Sequence, residues 1–189
     1  AEAASLTAVE GQKRQDQSKK RPRVHEKIQN FHRDMSSGVI NPILRLKINR
    51  SLCNFTCEHC CEEPYMTRDL KKKTGAIDPR KQMTIVDYAE LARQADEYGL
   101  FRFVLTGGEA ILDKSLGDLI VALDPMKHLI ILDTNGWFFN EDKAKWFADL
   151  GGYKAQISLD SFVEEDHDAF RNKRGAYKRA ISAVKASKE

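Results

Sequence analysis

Residues 53–61 read CNFTCEHCC, so all four cysteines of this 189-residue chain fall within nine positions. Thiols gathered this tightly can form disulfides, hold zinc, or hold an iron–sulfur cluster. Disulfides are the weakest of these answers, because adjacent Cys60 and Cys61 can hardly bond each other without distorting the backbone between them. Cys53, Cys57 and Cys60 form C-x3-C-x2-C, and three thiolates on one short loop can converge on a single metal centre. A [4Fe–4S] cluster usually takes four cysteines. With three, one iron keeps an open position, by the logic that leaves a catalytic zinc site open. Zinc would need His59 or Cys61 as the fourth ligand, and the usual paired C-x2-C spacing of zinc sites is absent. Cys61 is itself a poor fourth ligand, since neighbouring side chains on an extended backbone point apart.

The elements that position this loop follow from hydrophobic periodicity. ILRLKINRSL (43–52) alternates as a strand does and runs straight into the cysteines. FRFVL (101–105), LIILD (129–133) and YKAQISL (153–159) are three more short β-rich runs. Between and after them lie helical patterns. TIVDYAELARQADEYG carries Thr84 and Asp87 as cap residues, NEDKAKWFADLGG starts at Asn140, SLGDLIVALDPM repeats leucine at helical spacing, and AYKRAISAVKA offers Tyr177, Ala180, Ile181 and Val184. The order β-α-β-α-β-α-β-α argues for parallel strands with helical crossovers.

The expected fold is therefore α/β, a partial (βα) TIM-type barrel with at least four βα units. Four units do not close an eight-stranded barrel, and the C-terminal units are expected to be missing. Residues 1–36 read as a flexible charged arm, with HEKIQNFHRDM forming a helical turn or two, and 37–189 as the core. Lys71, Lys72 and Lys73, within an insertion at 61–83, read as a solvated loop.

In parallel α/β folds ligands lie at the C-terminal ends of the strands. All four ends here are chemically unusual: the cysteines, then TGGEA (106–110), DTNGW (133–137) and SLDS (158–161). Each alone is a plain turn signal. Four facing one mouth make a site.

Composition narrows the partners. A net charge of +3 is too small to imply nucleic acid, and no run approaches the roughly 20 apolar residues that cross a bilayer. The N-terminal AEAASLTAVEGQKRQDQSKK lacks the apolar region of a secretory signal. A cytoplasmic, reducing compartment is expected, where structural disulfides are rare.

INRSLCNFTCEHC, LTGGEAIL, LDTNG and ISLDSFVEEDHDAFRNKRGAY together resemble the radical S-adenosylmethionine (radical SAM) enzymes, nearest the SPASM/twitch peptide-modifying and molybdopterin-type branch. The resemblance implies a [4Fe–4S] cluster on Cys53, Cys57 and Cys60, with SAM chelating the open iron. Gly107 and Gly108 would approach the methionine moiety, and Glu109 would accept from its ammonium. Ser158 and Asp160 match positions near the ribose and the methionine carboxylate. Arg171 would fork onto that carboxylate, with Arg174 in reserve, and Asn135 would contact SAM or serve the turn. The family chemistry is reductive cleavage of SAM to a 5′-deoxyadenosyl radical, which takes a hydrogen from a peptide side chain or a small metabolite. An electron donor such as flavodoxin or ferredoxin is implied. A non-catalytic zinc or electron-transfer module on the same cysteines is the alternative. Ala110 stands where the family often has proline, and His59 occurs before the last cysteine in the peptide-modifying branch. His167 reads as structural and Cys61 has no role. No cysteine follows Cys61, so one cluster is expected.

Overall fold

The structure, a computed structural model, describes residues 21–36, 43–48, 52–60 and 83–187. Cys61 and Lys71–Lys73 lie outside these. Four parallel strands form one sheet in the order β1-β2-β3-β4. They are β1 (Leu44–Lys47), β2 (Arg102–Thr106), β3 (Leu129–Thr134) and β4 (Lys154–Ile157). The helices are α1 (Pro22–Ser36), α2 (Ile85–Glu97), α3 (Leu116–Ala122), α4 (Glu141–Asp149), α5 (Glu164–Phe170) and α6 (Ala176–Ala186). The register pairs Arg45 with Val104, Val104 with Ile131, and Asp133 with Gln156.

Alternation sorts the sheet into two faces. Phe103, Leu105, Ile130 and Leu132 are fully buried against Tyr88, Ala92, Leu116, Leu119 and Ile120 of the helices. The opposite face carries Arg45, Asp133 and Gln156 toward the C-terminal ends. At the start of α2, Thr84 Oγ1 accepts from Asp87 N while the Asp87 carboxylate accepts from Thr84 N, as the sequence signal requires. Asn140 caps α4 through Lys143 N.

Two expectations change. Residues 22–36, read as part of a flexible arm, form a continuous helix docked beneath the sheet. Val24 and Lys27 are buried, Phe31 meets Phe101 at 5.3 Å, and Arg21 reaches the Gly151 carbonyl at 2.8 Å. The second change is the buried face of α6, which is Ala176, Ala180, Ala183 and Ala186, while Val184 is exposed. Small side chains are needed there because Gly136 approaches closely. A Cβ on Gly136 would lie 3.1 Å from Ala183 Cβ and 3.2 Å from Ala180 Cα, and its φ of +79° suits glycine.

Candidate cofactor site

The four βα loops meet around a cavity of about 400 Å3. Its lining includes Cys53, Cys57 and Cys60, the Gly107–Gly108 pair, Asn135, Ser158 and Arg171. Eight of the ten site residues read from sequence therefore share one cavity wall, and Glu109 and Asp160 stand behind it.

The cysteine loop is tied to its neighbours at both ends. Leu52 accepts from Glu109 N at 2.7 Å, and Glu58 N donates to the Phe170 carbonyl at 3.0 Å. Cys60 N closes a turn onto Cys57 O. Burial pushes the Cys53 thiol up to about 11 against the Phe55 N–H, with Glu109 and the neighbouring cysteines adding to the rise. A cationic cluster core bound there would favour the thiolate. Among the described residues, no three Cys, His, Asp or Glu side chains are gathered as a single metal ion requires. The three thiols lie on one loop and line one cavity, the donor set that a three-cysteine cluster would use.

Gly107, at φ +154°, and Gly108 form a bare shelf where the chain leaves β2. Below it lies Glu109, 1% exposed. Its carboxylate accepts from Thr134 Oγ1 (2.8 Å), Asn135 N (2.7 Å) and Ile111 N (3.2 Å). Burial raises its pKa against these donors. Sequence reading placed this carboxylate on a ligand ammonium. In the structure it faces the end of β3 and splices that end to the GG turn. Asn135 continues the splice, donating from Nδ2 to Asn54 Oδ1 at 2.9 Å and accepting from Trp137 N at 2.9 Å. Asn135 thus serves the turn and also faces the cavity.

The resemblance put Asp160 near the ribose and methionine carboxylate of SAM and Arg171 on that carboxylate. They are bonded to each other: Arg171 Nε and Nη2 fork onto Asp160 at 2.5 and 2.9 Å. Arg171 Nη1 stands 3.8 Å from Cys57 Sγ. Arg174 is exposed. His167 is buried and its Nδ1 accepts from Asp160 N at 3.2 Å, so its role is structural. Desolvation lowers its pKa, with Asp160 opposing. Phe55, 3% exposed, lines the cavity and meets Trp137 edge-on at 5.6 Å.

Sequence reading missed a polar trio on the open sheet face. Arg45 Nη1 lies 2.7 Å from Asp133 Oδ2, and Gln156 Nε2 donates to Asp133 Oδ1 at 2.5 Å. All three line the cavity. The signal was available, since the strand alternation that buries Leu44, Leu46, Leu132 and Ala155 turns these residues the other way.

A family profile described as the radical SAM superfamily matches residues 51–189. The chain belongs to the radical SAM superfamily. Enzymes of this superfamily use a [4Fe–4S] cluster and SAM. GTP 3′,8-cyclase of Pectobacterium atrosepticum is 29% identical over 120 residues, 62% of this chain and 34% of the cyclase. The sporulation killing factor maturation protein SkfB of Bacillus subtilis is 23% identical over 156 residues, covering 81% of this chain and 35% of SkfB. Among solved structures, Streptococcus suis SuiB bound to its precursor peptide SuiA superposes with a TM-score of 0.58 at 16% identity. That match covers 82% of this chain and 32% of SuiB, and supports the fold. The chain spans about a third of the length of the relatives it matches. No helix among the described residues is long and apolar enough to cross a membrane.

Proposed function

We propose that this chain is the cluster- and SAM-binding part of a radical SAM enzyme acting on a peptide or protein side chain. The observation that carries the reading is the placement of three thiols, Cys53, Cys57 and Cys60, in the same cavity as the Gly107–Gly108 shelf. A cluster held by these cysteines would supply the one-electron chemistry of reductive SAM cleavage, with a substrate hydrogen as the target. The chain's own part is positional. Cys53, Cys57 and Cys60 would hold the cluster, beside the cavity where SAM would lie. Gly107 and Gly108 let the methionine lie against backbone, with no Cβ in the way. Asn135 and Ser158 offer polar atoms to the same ligand, and Asp160 fixes the guanidinium of Arg171 at the rim. Glu109 acts from behind, keeping the shelf and the β3 turn in register. Phe55, backed by Trp137, walls the cavity against water.

SuiB, solved with its precursor peptide, and SkfB, named for maturation of a killing factor, support a peptide substrate. The cyclase relative supports a small metabolite as the second reading. An electron donor such as flavodoxin or ferredoxin completes the scheme. Anaerobic reconstitution with iron and sulfide, followed by SAM and dithionite, should yield 5′-deoxyadenosine. A folded, cluster-loaded chain that makes none sinks the proposal, and zinc uptake without iron uptake would favour a plain metal-binding module.

A further inference from the structure

The corner after α5 grips the cysteine loop in a way that neither cluster ligation nor SAM binding requires. The Phe170 carbonyl takes the Glu58 N–H at 3.0 Å, and the Phe170 ring lies flat on His59, with centroids 4.5 Å apart and planes 5° apart. Asn172 Nδ2 donates to Thr56 Oγ1 at 3.0 Å. Arg171 Nη1 approaches Cys57 Sγ at 3.8 Å. Three successive residues, 170–172, therefore touch four successive residues, 56–59. Asn172 has a φ of +47°, a conformation asparagine tolerates better than most residues. That left-handed step ends α5 so that the chain faces the loop. The guanidinium has little freedom, because the Asp160 fork occupies its other two nitrogens.

We propose that residues 170–172 are a clamp that holds the cysteine loop in shape before iron arrives, and that Arg171 acts through the Cys57 sulfur to make the cluster easier to reduce. The second half rests on reading Cys57 as a cluster ligand. A reduced cluster carries one more negative charge. A permanent cation donating to a ligand sulfur stabilises that state more than the oxidised one. Arg171 is thus a positioning residue with an electrostatic effect on the cluster.

Two measurements test the halves separately on the full chain. In iron-free protein, hydrogen exchange across 55–60 should quicken at least tenfold in Arg171→Met and Asn172→Gly. Glycine accepts the positive φ without strain, so Asn172→Gly removes the Thr56 contact and keeps the helix end. Unchanged exchange in both variants overturns the clamp. In reconstituted protein, a potentiometric titration read by electron paramagnetic resonance follows the cluster. In Arg171→Met the reduced-to-oxidised ratio at fixed poise should fall about tenfold, a shift of about 59 mV for one electron. Arg171→Lys, which keeps the charge but not the fork, should recover part of that shift and none of the exchange protection. A loaded Arg171→Met cluster with the wild-type midpoint overturns the sulfur effect. A wild-type chain that takes up no cluster overturns the ligand reading and the sulfur effect together, and the iron-free exchange still decides the clamp.

Discussion

At the C-terminal ends of the strands, charged side chains hold loops; at the N-terminal ends they hold a helix. Glu109 ties the GG turn to β3, and the Asp160–Arg171 fork reaches the cysteine loop. At the other end Asp96 collects Arg23 (3.0 Å), Lys27 (2.6 Å) and Lys127 (3.8 Å), and so docks α1 beneath the sheet. Both networks are partly buried, yet the upper one ends at a cavity and the lower one ends on backbone, with Lys27 Nζ also donating to the Lys127 carbonyl. The difference teaches that buried charge marks function only where it borders open space with reactive groups in it. Parallel α/β folds divide labour this way, chemistry above and stability below.

The largest expected effect lies at the mouth and leaves the floor untouched. Cys57→Ala should abolish iron uptake and 5′-deoxyadenosine formation, measured by iron analysis and product assay. The melting temperature of the iron-free chain should stay within about a degree or two, since a partly exposed thiol adds little packing. A large fall in stability would break the separation between the two ends.

Glu109→Ala is the sharper test, because it is a mouth residue with a structural task. Removing the carboxylate strands three donors at a 1%-exposed site, which costs about 3 kcal/mol. Urea unfolding should show this loss, and SAM binding should weaken with it. Normal stability with lost SAM affinity would instead support the direct ammonium contact inferred from sequence.

On the floor, Lys27→Met should cost about 1–2 kcal/mol, since Asp96 keeps Arg23 and Lys127 while the Lys127 carbonyl loses a donor. Limited proteolysis near α1 should quicken. Cluster content and SAM affinity should be unchanged, and a change in either would mean that the two ends communicate.

What the sequence revealed follows from which interactions are local. β2 and β3 are continuous apolar runs because Val104 and Ile131 are buried on one face as Phe103 and Ile130 are on the other, and such runs are readable. The caps at Thr84 and Asn140 act over three residues and were readable too. Helix α1 was obscured because its docking depends on Lys27, whose buried ammonium no hydrophobic pattern can register. The cysteines announced themselves by residue type. The partners of Glu109 did not, since Thr134 lies 25 residues away and meets it only through the β2–β3 pairing. The Asp160–Arg171 fork was hidden for a different reason: a separation of eleven residues gives no local signal that the two charges meet where α5 ends.

The effect that shows only below neutral pH comes from His128, fully buried on the floor beside Phe103. Its Nδ1 donates to the Leu123 carbonyl at 2.9 Å, and its Nε2 has no hydrogen-bond partner among the described residues. Burial, helped by nearby Lys27 and opposed by Asp96, lowers its pKa from 6.5 to about 4. The folded chain therefore binds fewer protons than the unfolded chain between those values. Stability is full above about pH 6.5, falls as pH drops toward about 4, and levels below that. At pH 6 the loss is only about 1 kcal/mol. Urea midpoints of the iron-free chain between pH 7 and 5 should follow this slope in the wild type, flatten in His128→Leu, and become shallower in Lys27→Met, where the repelling ammonium is gone. A slope that survives His128→Leu would place the titrating group elsewhere. A slope that moved instead with Glu109 would make the mouth, not the floor, the pH-sensitive end.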